Sequence, residues 1–215
     1  MEAREITTMT IVEKARGRGR PRAFNRAIVL ERAMQVFWAA GYSGSSIPML
    51  TEAMGISAQS LYAAFGSKDA LYREAIEVYR TTIGGFAARA LDEEPDAVEG
   101  LVRLLRGAAI TFSRTGGTPG CMITTAPGET TEPELTALGR RLRAESVEKI
   151  SERLDRGIHE GQLRSDTDCE AWSRYIGAVI QGMSVQAKDG ATTQTLLSIA
   201  EIAAQMLPAL RSSAT

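Results

Sequence analysis

Residues 47–65, IPMLTEAMGISAQSLYAAF, constrain this chain more than any other stretch. Apolar side chains fall at Ile47, Leu50 and Met54, a glycine follows at position 55, and a second apolar set falls at Leu61, Ala64 and Phe65. That spacing describes two short helices set at an angle by an open turn, a helix-turn-helix. Ser46 and Ser57 stand just before the two helices, where a hydroxyl satisfies an unpaired amide of the first turn. Gly55 supplies the turn and Ile56 fills its corner. The second helix leaves Ala58, Gln59, Ser60, Tyr62 and Ala63 uncommitted, a surface of small or polar side chains that enters a major groove without clash. Helix pairs with a glycine turn also occur in helical proteins with no nucleic-acid role, so the flanking sequence decides the reading.

On the carboxyl side the chain continues LYAAFGSKDALYREAI, and the second helix runs through a Gly66-Ser67 break into another helix starting near Lys68. On the amino side, AFNRAIVLERAMQVFWAAGYSGSSI places Ile28, Leu30, Ala33, Phe37 and Trp38 near one helical face and closes on Gly41 with Tyr42 behind it. The series Tyr62, Phe65, Gly66, Ser67, Lys68, Asp69 and Leu71 resembles the signature of the TetR family of bacterial repressors. The resemblance covers residues 24 to about 79. Thr51 stands where the family usually has a small aliphatic residue, and Pro48 is rare at its position. Neither breaks the unit: proline in a first helical turn lacks an N–H that would be unpaired anyway, and the Thr51 hydroxyl can bond the carbonyl one turn back.

The charge is unevenly placed. Lys and Arg total 25 against 26 acidic residues, a net charge of −1, which excludes a globally basic coat protein. Yet KARGRGRPRAFNR, residues 14–26, carries six cations and no acid, while Asp92, Glu93, Glu94 and Asp96 form an acidic run further on. Within the basic arm, RGRPR at 18–22 is similar to the core of an AT-hook, and its proline and glycine keep it out of a helix. Two readings stand side by side: Arg20 and Arg22 enter a minor groove beside the major-groove reader, or the arm attracts phosphates without sequence preference. Both weaken binding as salt rises. The amino terminus lacks the pattern of a signal peptide and no apolar run is long enough to span a bilayer, so a cytoplasmic protein without a membrane partner is expected.

Beyond residue 79 the periodicity stays helical. Helices are expected near 69–84, 96–115, 132–161, 168–188 and 192–207, with a shorter element after Pro119, and no strand alternation or repeat competes. The fold class is all-α: an amino-terminal three-helix DNA-binding unit followed by a larger helical module. The division is an arm over 1–23, the helix-turn-helix unit over 24–67, a connecting helix over 68–84 and the second module over 85–211. The resemblance implies that this second module binds a small-molecule effector and forms a homodimer. A single helix-turn-helix touches few base pairs, so a two-fold dimer on a near-palindromic double-stranded operator is expected independently. The last two helices carry the candidate seam, with Trp172, Ile176, Val179, Ile180, Met183 and Val185 on one and Leu196, Leu197, Ile199, Ile202, Ala203, Met206 and Leu207 on the other. About half of these belong instead to the monomer core.

For the DNA contact the candidates are Arg20, Arg22, Ser46, Ser57, Gln59, Ser60, Tyr62 and Lys68. Gln59 and Ser60 are placed to read bases, and the family resemblance implies that Tyr62 and Lys68 grip phosphate. For the effector, TGGTPGCMITTAPGETT over 115–131 forms a loop with an apolar centre, and its Gly-Cys followed by apolar residues is loosely similar to family members in which a short helix lines the cavity. Phe86, Phe112, Cys121, Met122, Trp172, Tyr175 and Met183 are the candidate lining, which suits an apolar or aromatic, weakly charged molecule. The same side chains also read as plain core.

Cys121 and Cys169 are the only cysteines, which argues against a structural disulfide. They read as small buried hydrophobes, or Cys121 reads as a thiol open to oxidants or electrophiles. An enzyme finds little support. His159 is the sole histidine, no cysteine has a partner at zinc-ligand spacing, and no phosphate-binding loop or nucleophile elbow appears. No catalytic residue, metal or cofactor is therefore expected. An architectural binder of A·T-rich DNA that uses the arginine arm alone is the remaining rival.

Overall fold

A computed structural model describes residues 24–126 and 133–212. Among the described residues there are nine α-helices and no strand. The candidate arm residues Arg20 and Arg22 lie outside the described residues.

The first three helices start on side-chain caps that the sequence specifies. Helix α1, Arg26–Gly44, begins where the Asn25 side chain accepts from the amides of Ala27 and Ile28 at 3.0 and 3.3 Å. It breaks near its end at Gly41, whose φ of 71° is not helical. Helix α2, Ile47–Met54, is capped by Ser46 through the Met49 amide, and α3, Ala58–Phe65, by Ser57 through the Ser60 amide. Between them Gly55 sits at φ 68°, ψ 31°, and its amide donates to the Thr51 carbonyl at 2.9 Å. A left-handed residue here closes α2 and aims the chain into α3, and glycine adopts it without steric cost. The Thr51 hydroxyl donates back to the carbonyls of Ile47 and Pro48, both at 3.0 Å.

Helix α4, Lys68–Thr81, starts on Ser67. It stops earlier than the expected boundary near 84, because the Thr81 and Thr82 hydroxyls bond the carbonyls of Glu77 and Val78 and Thr82 leaves helical geometry at φ −105°, ψ −90°. A 3-10 turn over Ile83–Gly85 leads into a short helix α5, Phe86–Asp92, which the periodicity did not separate from its neighbours. Then come α6, Ala97–Phe112; α7, Pro133–His159; α8, Cys169–Lys188; and α9, Thr193–Ala204. The element expected after Pro119 is a run of turns over residues 122–125 and not a full helix.

Two apolar cores hold these helices. The first joins Leu30, Phe37 and Trp38 of α1 to Leu50, Leu61, Leu71, Ile76 and Tyr79 of α2, α3 and α4. Helix α2 buries only Leu50 and Met54, so its position depends on its packing against α1 and α3; each such side chain contributes roughly 1.5–3 kcal/mol. This core also takes in Met122 and three leucines of α7, Leu135, Leu138 and Leu142. The second core is built on α6, whose buried face meets α5, α7, α8 and α9. Arg211 closes the carboxyl end by a bidentate pair with Asp96, Nη1 to Oδ2 at 2.6 Å and Nη2 to Oδ1 at 3.0 Å. Among the described residues no helix is long and apolar enough to cross a membrane.

Candidate DNA-binding face and effector cavity

Helix α3 buries Leu61 and Phe65 and leaves Ala58, Gln59, Tyr62 and Ala63 exposed, with Ser60 half-buried. The exposed set is small or polar, and Tyr62 is 47% exposed. Ser46 and Ser57, at the starts of α2 and α3, cap those helices and remain exposed. The Ser57 and Ser60 hydroxyls also lie 3.0 Å apart, which orients Ser60 along the helix. Two helix N-termini and this polar face lie in one continuous stretch of chain, the arrangement in which backbone amides and helix dipoles hold phosphate while side chains reach bases.

Lys68 begins α4 beside this face. Its ammonium donates to the Tyr42 carbonyl at 2.7 Å and lies 4.1 Å over the Tyr42 ring. Burial lowers the lysine pKa below its ordinary value, while the neighbouring Asp69 carboxylate works in the opposite direction. The Tyr42 hydroxyl bonds the Asp69 carboxylate, and its ring packs edge to face on Tyr72 at 5.2 Å, which in turn packs on Phe37 at 5.0 Å. An aromatic stack thus fixes the group on which Lys68 rests. Arg26 covers Phe65 from the outside, 4.5 Å above the ring, and pairs with Glu74 at 2.7 Å.

The far end of α4 contributes to a cavity of about 440 Å³. Tyr79 of α4, Phe86 and Leu91 of α5, Leu104 and Phe112 of α6, and Leu142 and Ile150 of α7 form its walls, with Gly177 and Ile180 of α8 and Cys121 and Ile123 of the loop closing it. Arg80 and Glu145 belong to the lining, lie toward solvent and pair at 3.3 Å. Thr124, Arg143 and Gln181 are half-buried polar parts of the lining, and among its fully buried residues only Tyr79 carries a polar side-chain group. Tyr79 is 1% exposed, its hydroxyl has no hydrogen-bond partner, and the Cys121 side chain and Met122 backbone are the polar groups beside it. Burial, reinforced by the Cys121 sulfur, pushes the Tyr79 pKa well up, so the phenol remains a donor. Trp38 packs edge to face on its ring at 5.1 Å.

Residues 29–75 match the sequence profile of bacterial regulatory proteins of the TetR family. The chain is 29% identical over 203 residues to the transcriptional repressor ComR of Escherichia coli K12, covering 91% of this chain and 94% of that protein. It is 30% identical over 164 residues to the regulator YezE of Bacillus subtilis 168, covering 74% and 83%. Among solved structures, a cysteine-substituted form of the TetR-family regulator CifR bound to 26-base-pair operator DNA superposes with a TM-score of 0.80 at 43% identity, covering 87% of this chain and 98% of that one. The chain belongs to the TetR family.

The family is one of transcriptional regulators, and both the all-helical fold and the amino-terminal helix-turn-helix agree with it. On this TetR-family framework the sequence-derived candidates separate into groups. Ser46, Ser57, Gln59, Ser60 and Tyr62 share the exposed stretch of α2 and α3, and Lys68 adjoins them. Phe86, Phe112 and Cys121 line the cavity. Met122, Trp172, Tyr175 and Met183 do not. Met122 is buried in the amino-terminal core, and Met183 is fully buried in the carboxyl-terminal one. Trp172 and Tyr175 meet edge to face at 5.7 Å, and the Tyr175 hydroxyl reaches the Met206 sulfur at 3.4 Å, so this pair occupies the side of α8 next to α9. The cavity instead meets α8 at Gly177, Ile180 and Gln181, which lie on another face of the helix.

Sequence reasoning missed Tyr79, Leu142 and Ile150 as lining. Tyr79 follows Tyr72, Ala75 and Ile76 on the apolar stripe of α4 and reads as core. The available signal was its hydroxyl, which a core position must satisfy or leave unpaired.

Proposed function

We propose that this protein is a dimeric, ligand-responsive repressor that leaves a near-palindromic operator when an apolar or aromatic effector fills the cavity. The observation that carries this reading is the span of α4. Lys68, at its start, adjoins the polar face of α3, and Tyr79, near its end, is a wall of the cavity. A molecule that displaces Tyr79 moves the helix on which α3 rests.

In this reading Gln59 and Ser60 of each protomer read bases, Gln59 by a bidentate bond to adenine, and Tyr62 and Lys68 hold phosphates. Helices α8 and α9 supply the dimer seam. Ile202, Met206 and Val185 are 65%, 50% and 52% exposed, an apolar surface that a second copy would cover. Two recognition helices then face successive major grooves about 34 Å apart, and a change in their separation lowers affinity by breaking contacts at both half-sites. Arg20 and Arg22 extend the contact into the minor groove or to phosphates.

The test is footprinting of the full-length protein on DNA upstream of its own gene at two salt concentrations, with Gln59→Ala alongside. A protected near-palindrome that Gln59→Ala alters supports the repressor. Diffuse, salt-sensitive protection indifferent to Gln59 would favour the architectural reading and overturn this one.

A further inference from the structure

We propose that Cys121 is a covalent modification site for apolar α,β-unsaturated carbonyl compounds, with Tyr79 holding the carbonyl oxygen. The proposal rests on the reading of the cavity as the effector site and names the chemistry that site would accept.

Two independent observations meet there. Cys121 is a free, half-buried thiol on the cavity wall. Tyr79 is buried to 1%, lines the same cavity, and carries a hydroxyl that makes no hydrogen bond of ordinary geometry, with the Cys121 side chain and the Met122 backbone as the polar groups beside it. Buried hydroxyls are almost always satisfied, so an orphan facing a ligand-sized space points to an acceptor that arrives with the ligand. Burial keeps this phenol protonated, so the acceptor is an oxygen such as a carbonyl. Phe86, Phe112, Ile123, Leu142 and Ile180 among the other walls favour an apolar body, with Thr124, Arg143 and Gln181 as its half-buried polar neighbours.

A nucleophile beside a hydrogen-bond donor is the pair that conjugate addition uses. The sulfur of Cys121 forms a bond to the β-carbon, and the carbon–carbon π bond breaks. Its electron pair moves onto the carbonyl oxygen as an enolate, which the Tyr79 O–H stabilises. The thiol proton then passes to the enolate and restores the carbonyl. Nothing leaves and no further reagent is consumed, so the protein gains the whole mass of the electrophile.

The position of Cys121 turns this chemistry into regulation. Its amide donates to the buried Ser184 hydroxyl of α8 at 2.8 Å, while the next residue, Met122, is packed in the amino-terminal core. A thioether grown from Cys121 strains a segment held on both sides. Cys169 offers an internal comparison, because burial and the neighbouring Asp155 push its thiol up to about 11 and it does not line the cavity.

The experiment is incubation of the full-length protein with 4-phenylbut-3-en-2-one, followed by intact mass and peptide mapping. The expected result is one adduct at Cys121, none at Cys169 or in Cys121→Ser, and a rate about tenfold or more slower in Tyr79→Phe, whose thermal unfolding shows that it is folded. The saturated ketone 4-phenylbutan-2-one should slow the labelling without adding mass. No adduct at Cys121, equal labelling of both cysteines, or an unchanged rate in Tyr79→Phe would overturn the site. An adduct that leaves affinity for the upstream DNA unchanged would overturn its regulatory role. Because the mass readout needs no DNA, failure of labelling is separable from failure of the repressor reading.

Discussion

The Lys68 ammonium and the Tyr42 carbonyl oxygen lie 2.7 Å apart, and the same ammonium sits 4.1 Å over the Tyr42 ring. One lysine therefore ties the start of α4 to the end of α1 beside the face proposed to meet DNA. Lys68→Met is expected to lower both thermal stability and operator affinity. The salt dependence of binding separates the two roles: loss of a phosphate contact lowers the slope of log affinity against log salt by about 0.9. An unchanged slope would confine Lys68 to joining α1 and α4.

Two glycines with similar positive φ angles should respond differently to alanine. At Gly55, φ 68°, an added Cβ would meet no atom closer than Arg32 Nη1 at 3.5 Å, which is ordinary contact. Gly55→Ala is expected to cost about 1–2 kcal/mol, the left-handed penalty alone. At Gly120, φ 80°, the Cβ would lie 2.9 Å from the Ser184 carbonyl oxygen, a backbone atom of α8. Gly120→Ala adds an overpacking cost of about 1–3 kcal/mol. Denaturant titration of both variants checks the ordering, and equal losses would contradict it.

The Asp96–Arg211 pair gives the fold a defined acid response. Its bonds to Arg211 hold the Asp96 carboxyl below its usual range, and the amides of Glu99 and Val98 act in the same direction. A depressed folded-state pKa contributes stability at pH values above the unfolded carboxylate pKa, and that contribution is lost as pH falls through the folded value. Arg211→Ala should therefore be less stable than wild type at pH 7 and converge on it as the pH drops below about 4. The pair is partly solvent-exposed, so the difference should shrink in high salt. Parallel thermal melts between pH 2 and 7, at two ionic strengths, measure it.

The helix-turn-helix was legible because local rules specify it almost completely: Ser46 and Ser57 as caps, Gly55 as the turn, and Leu50, Met54, Leu61 and Phe65 as the buried set. The same rules located α6, α7, α8 and α9 to within a few residues. They failed at residues 81–92, where the Thr81 and Thr82 hydroxyls bond backbone carbonyls, Gly84 and Gly85 follow, and the chain restarts as α5. The cavity was half legible. Phe86, Phe112 and Cys121 stood out by residue type, but which face of α8 meets the cavity depends on packing between distant helices. Trp172, Tyr175 and Met183 share that helix with the lining residue Ile180 yet face elsewhere. Amphipathic periodicity reports that a residue is turned inward, and it does not distinguish a packed interior from an open one.

The amino-terminal core contains Met122, Leu135, Leu138 and Leu142 alongside the residues of α1 to α4. The DNA-reading unit is thus contiguous in sequence but not self-sufficient in packing. A hybrid regulator spliced after Gly84 would carry the recognition helix intact and leave the apolar underside of α1 and α4 to pair with a foreign surface. Exchange of reading heads between relatives would then work only where the recipient's loop and α7 present the same knobs, and specificity and sensing in this chain would have to be altered as one piece.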